Sequence, residues 1–170
     1  MKNIMISIFC LFALGTASAQ KNVMQEQAEI NKIAGTYMLV KVDNVLSDGS
    51  KVHLYGDMPC GILMMDNSGN YSLQIAGENR PQFDSGDKSK GTDQENRQAI
   101  QGINTHFGTF TINMKMHTIT FFIKHASFPN WEGTYQDRAF MFDGHVLKYT
   151  VSTPTTGGAV KGEVEWKRME

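Results

Sequence analysis

The chain has 170 residues, with 16 Lys+Arg against 17 Asp+Glu and a formal net charge of −1. That length suits one domain with a sizeable core, and 41 % hydrophobic with 19 % charged residues is a globular composition. The charge balance excludes the basic excess of a nucleic-acid binder, an acidic solvating tail and a polybasic membrane patch.

Residues 1–19 read MKNIMISIFCLFALGTASA. Lys2 gives a positive start. An apolar run follows from Ile4 to Leu14, interrupted by Ser7. Ala17-Ser18-Ala19 is a small-x-small cleavage site. This order marks a secretory signal peptide cleaved after Ala19. The run is too short to span a bilayer, and no later stretch is apolar enough for a membrane span. A periplasmic or secreted protein starting at Gln20 is expected. Without Lys2 it carries 15 basic and 17 acidic residues. Its single cysteine, Cys60, has no partner for an internal disulfide and is expected as a small core residue.

Val23 to Ala34 predicts a helix, with Val23, Ile30 and Ile33 on one side. From Gly35 the apolar period changes to two. Strands are predicted at Thr36–Asp43, Lys51–Tyr55, Gly61–Asp66 and Tyr71–Ala76. Turns lie at Ser47-Asp48-Gly49 and Asn67-Ser68-Gly69-Asn70. Gly77 to Gly91 is polar and reads as an exposed loop. Thr92 to Ile103 reads as a helix, because Thr92 followed by Glu95 has the capping-box spacing. Strands follow at Thr105–Met114, Met116–Ala126, Thr134–Phe142, His145–Val151 and Val160–Arg168. Asp143-Gly144 is a tight hairpin signal.

Such closely spaced strands form a meander, and a meander removes its edges by closing. The fold class expected is all-β: an antiparallel up-and-down barrel of about eight or nine strands with one or two short helices. The divisions are a signal peptide over 1–19, an N-terminal helical or extended segment over 20–33, and a barrel domain over 34–170.

Strand parity defines an inward face. In the last strand Lys161, Glu163, Glu165 and Lys167 face water. Val160, Gly162, Val164, Trp166 and Arg168 face inward. His106 shares parity with Phe110 and Ile112. His117, Ile119, Phe121, Ile123 and His125 share another inward parity, as do Leu147, Tyr149 and Val151.

Several blocks carry a resemblance. They are Gly35-Thr36-Tyr37-Met38-Leu39-Val40, Pro59-Cys60-Gly61-Ile62-Leu63, Gly69-Asn70-Tyr71-Ser72 and Gly108-Thr109-Phe110-Thr111-Ile112. His125-x-x-x-Pro129-Asn130-Trp131-x-Gly133, Arg138 and Trp166-Lys167-Arg168 complete the set. In this order the chain resembles the bacterial lipocalin-like domain family over roughly residues 33–169. The resemblance implies a closed or nearly closed calycin-type barrel with an internal cavity. Barrel closure would fall to Gly35, Tyr37 and Arg168, with Tyr37 where lipocalins carry the tryptophan of Gly-x-Trp and Arg168 packed on its ring.

The candidate ligand-binding residues are Phe110, Phe121, Ile123, His125, Asn130, Trp131, Arg138 and Tyr149. The aromatic and aliphatic members would line a pocket. Asn130 and Trp131 sit at a rim turn, and Arg138 can grip a carboxylate at two points. A small lipophilic molecule with a polar or acidic head is the expected partner. The alternative is an isomerase, cyclase or hydrolase acting on a hydrophobic substrate, with His125 as acid and base. A structural role at the cell envelope is a third option. The histidines show no paired ligand spacing, so no metal or other cofactor is expected. His106, His117 and His125 would supply one only by converging from neighbouring strands. A monomer or small oligomer is expected.

Overall fold

The computed structural model describes residues 20, 21, 23–156 and 158–170. The expected signal peptide lies outside the described residues. Helix α1 covers residues 23–33. Nine strands follow: β1 Gly35–Val45, β2 Lys51–Val52, β3 Cys60–Met65, β4 Asn70–Ala76, β5 Ile103–Asn113, β6 Thr118–Ala126, β7 Tyr135–Phe142, β8 Val146–Val151 and β9 Lys161–Arg168. Helix α2 (Asp93–Gln101) lies between β4 and β5.

All pairings are antiparallel. Strands β1 and β3 to β9 pair in chain order, and β9 returns to β1. Eight strands thus form a closed barrel, with β2 added beside β1. Period-two alternation drives the closure. Along β9 the odd residues are charged and the even ones, Gly162, Val164 and Trp166, are buried. The outward charges are paired: Lys161 with Glu163 at 2.8 Å and Lys148 with Glu165 at 3.1 Å.

The barrel has two unlike ends. At one end the strands are joined by short turns over residues 66–69, 114–117 and 143–145. Helix α1 lies across this end. Its Ile30 and Ile33 enter the core, whereas Val23 stays exposed. Gln27 Nε2 donates to the Asn67 carbonyl in one of the turns at 2.6 Å. The other end carries the long connections, over 46–59, 77–102, 127–134 and 152–160.

Arg168 closes the helix end. Its guanidinium stands 5.3 Å from the centroid of the buried Tyr37 ring and 5.0 Å from that of Phe142. It donates to the carbonyls of Lys32 at 2.8 Å, Ala34 at 2.9 Å and Gly144 at 3.3 Å. A Cβ at Gly35 would lie 3.1 Å from Arg168 Nε, so a side chain there would crowd the guanidinium. Gly35, Tyr37 and Arg168, which the resemblance assigns to barrel closure, lie together at this end.

Other details differ from expectation. Cys60 begins β3 and is exposed rather than in the core. The second predicted strand shrinks to Lys51–Val52. The capping box at α2 forms as read: Glu95 N donates to Thr92 Oγ1 at 3.2 Å, and Thr92 N donates to Glu95 Oε2 at 2.6 Å.

One irregularity matters for the interior. The β5–β6 register pairs Gly108 with Ile123 and Phe107 with His125, so Lys124 is an extra residue on β6. Such a bulge reverses parity beyond it. Gly108 permits it, since a Cβ there would lie 1.9 Å from the Phe122 carbonyl oxygen. That contact is with backbone and has no side chain to rotate away. Gly108→Ala should therefore cost about 3 kcal/mol of stability, read as a lower urea midpoint.

Candidate functional site

The half of the barrel near the long connections is hollow. A cavity of about 510 Å³ opens there. The half near α1 is solid, filled by Tyr37, Leu63, Ile119, Leu147 and Trp166, all fully buried.

Strict alternation in β7 sends Gln136, Arg138 and Phe140 inward and Tyr135, Asp137 and Ala139 outward. Arg138 therefore projects into the cavity. Its Nη1 donates to the Asp137 carbonyl at 3.0 Å, and its Nη2 donates to Gln136 Oε1. Among the described residues no carboxylate oxygen lies within ion-pair distance of it. Burial pulls the guanidinium below its ordinary value, while nearby Tyr149, Tyr71 and Asp137 oppose the shift. An arginine still keeps its charge under such conditions. The cavity thus contains a cation without an anionic partner.

Beside it lies a buried polar pair. Tyr71 OH is 2.8 Å from His106 Nδ1. Burial first, and the Arg138 charge second, lower the His106 pKa to about 3, so the imidazole is neutral. Burial, and then the neighbouring Tyr149, push the Tyr71 phenol up, so it keeps its proton. With both groups neutral, we assign the phenol O–H as donor to Nδ1 and the imidazole proton to Nε2. Nε2 has no hydrogen-bond partner among the described residues. An imidazole this hard to protonate is a poor proton carrier near neutral pH.

Aromatic rings form much of the wall. Phe121 meets Tyr71 edge-on at 4.6 Å and Tyr149 at 6.2 Å. Trp131 meets His106 edge-on at 6.0 Å. Trp131 ends the short 3₁₀ turn Pro129–Trp131, which Pro129 starts. Tyr55 and Leu54 reach the cavity from the connection between β1 and β3. That connection is tied down by Glu78, whose N–H donates to the Tyr55 carbonyl at 2.9 Å and whose Oε2 accepts from Asp57 N at 3.1 Å.

Of the residues expected at the site, the structure brings Phe121, Trp131, Arg138 and Tyr149 together around the cavity. Phe110 and Ile123 are buried but do not border it. Asn130 is exposed in the 3₁₀ turn and does not border it either. His125 differs most. The bulge turns it outward, where its Nδ1 lies 3.4 Å from Glu132 Oε1 and its ring stands 5.5 Å from that of Phe107. His125 therefore does not reach a molecule inside the barrel. His117 lies in the 114–117 turn with φ 49 at the helix end. His106, His117 and His125 thus do not converge.

Sequence reasoning passed over Tyr71, Gln136, Asn104 and Tyr55 as site residues. Tyr71 had the right parity, beside Leu73 and Ile75. Gln136 shared parity with Arg138. Tyr55 comes from a connection, where parity has no meaning.

An antiparallel barrel, sealed at one end by a helix and an arginine and hollow at the other, defines a lipocalin-type architecture. The chain belongs to the lipocalin-like domain family, whose model matches residues 34–169. No match was found among curated proteins or among solved structures. The fold and cavity suit the binding of a small molecule in general. Among the described residues no helix is long and apolar enough to cross a membrane.

His106 makes the fold sensitive to acid. Its folded pKa of about 3 lies below the ordinary 6.5. Between those values the unfolded chain binds more protons than the folded one. Stability is therefore lost as pH falls from 6.5 towards 3, by at most about 1.4 kcal/mol per pH unit from this residue. His106→Gln should flatten that part of the slope, measured by urea denaturation at neutral and mildly acidic pH.

Proposed function

We propose that this protein is an exported binder of a small lipophilic molecule with an acidic head group, held in the hollow half of the barrel. The observation that carries the reading is Arg138. A charge drawn partly out of water, as the half-buried Arg138 is, is costly unless it is paired. Here the guanidinium meets only a carbonyl and an amide oxygen. A ligand carboxylate would complete its hydrogen bonding in two-point fashion. Apolar walls from Val42, Leu73, Phe121 and Val164 would take the ligand's body.

Export rests on the order of features in residues 1–19: a positive start, an apolar run and Ala17-Ser18-Ala19. N-terminal sequencing of protein recovered from the periplasm or medium should begin at Gln20. Retention of residues 1–19 on cytoplasmic protein would overturn this part of the reading.

Ligand chemistry is tested by calorimetry with octanoate and octanol. Octanoate should bind more tightly than octanol. Arg138→Gln should weaken octanoate by about tenfold to a hundredfold, as expected for losing a charged hydrogen-bonding partner, and should leave octanol unchanged. Equal binding of the two compounds, or an Arg138→Gln variant that binds octanoate as well as the parent, overturns the acid-head assignment.

A further inference from the structure

We infer that the ligand of this cavity is a compact, ring-bearing carboxylic acid rather than a long-chain fatty acid. The inference rests on the assignment of the acid group to Arg138 and adds the shape of the rest of the molecule.

Depth is the first argument. The cavity descends from the open end to a floor that includes Leu73, Phe121, Tyr149 and Val164. Leu73 precedes the end of β4 at Ala76, Phe121 precedes the end of β6 at Ala126, and Val164 follows the start of β9 at Lys161. At about 3.3 Å per strand residue, three to five residues give a depth of only about 10–16 Å. Below the floor the barrel is solid. Phe110, Ile119, Leu147 and Trp166 are at most 2 % exposed. Beneath them Arg168, Tyr37 and Ile33 seal the helix end. With its carboxylate on Arg138, which neighbours Tyr71 and Tyr149 at this depth, an extended long acyl chain has only the mouth to leave by, and its end would lie outside the cavity.

The rim is the second argument. The Thr153–Thr156 segment borders the cavity at its mouth, and its three threonines are exposed. A long tail folded back along the mouth would cover these groups without offering hydrogen bonds, which carries a desolvation cost. A short ligand with polar edges leaves them solvated or bonded.

The walls are the third argument. Phe121 already stands edge-on to Tyr71 and Tyr149, and Trp131 stands edge-on to His106. Aromatic rings favour further rings in edge-to-face or offset contact, worth roughly 0.5–1.5 kcal/mol beyond area burial. A ring placed between these walls would set its carboxylate against Arg138.

The test is calorimetry of the isolated protein with hydrocinnamate, a compact aromatic acid, and palmitate, a long-chain one. Arg138→Gln serves as the control. Hydrocinnamate should bind at least about tenfold more tightly than palmitate, and Arg138→Gln should weaken it. Palmitate binding as tightly as hydrocinnamate, with both weakened by Arg138→Gln, overturns the compact-ligand inference and leaves the acid-head reading standing. Hydrocinnamate binding that Arg138→Gln does not weaken overturns the acid-head reading and this inference with it, as does the failure of both acids to bind. A second variant probes the floor directly. Phe121→Ala removes a floor side chain and should raise palmitate affinity about tenfold. Leu73→Ala replaces it if that variant does not fold. A folded floor variant with unchanged palmitate affinity overturns the depth argument.

Discussion

The guanidinium of Arg168 holds together parts of the chain that are far apart in sequence. It comes from the last strand, lies on Tyr37 of the first, and donates to carbonyls at the end of α1 and in the β7–β8 turn. A closed barrel needs its first and last strands paired, and the β1–β9 ladder runs from Tyr37–Arg168 to Val45–Lys161. Arg168 fixes that register at one end and brings α1 over the opening. Hydrogen bonds from a charged donor are stronger than neutral ones, and here three carbonyls share one donor group. Sealing this end leaves the opposite end for a ligand.

The two halves of the interior follow different rules. Near α1 the side chains are apolar and close-packed, as in any core. Near the long connections, polar groups accumulate: the buried His106 and Tyr71 and the half-buried Arg138 and Gln136 border or approach one space. Each carries a desolvation cost that packing does not return. Partial pairing, Tyr71 with His106 and Gln136 with Arg138, offsets some of it. Such an arrangement carries a local cost in stability. Concentrating it in one half keeps the remainder of the barrel a stable support.

Parity was a reliable guide wherever a strand is regular. In β7 it placed Arg138 inward, in β5 it placed His106 inward, and in β9 it placed Trp166 and Arg168 inward. It failed for His125, where one extra residue reverses the two faces. The signal for that bulge was present in Gly108, but a glycine in a strand has several meanings. Only its partner's position, with the Phe122 carbonyl pressed against it, distinguishes them. Asn130 illustrates a second failure. It lies beside Trp131 in sequence, yet a 3₁₀ turn sends one residue to the cavity and leaves the other in water.

The sequence by itself determined the class of fold, the order of strands and the helix cap at Thr92 and Glu95. These depend on local pattern: alternation with period two, turn residues and capping spacing. The tertiary structure alone decided which inward residues line a cavity and which merely fill the core. Phe110 and Phe121 have the same inward character in sequence, but only Phe121 borders open space. The difference is their height in the barrel relative to α1 and to the long connections. That height is set by strand stagger, bulges and closure, which join residues distant along the chain.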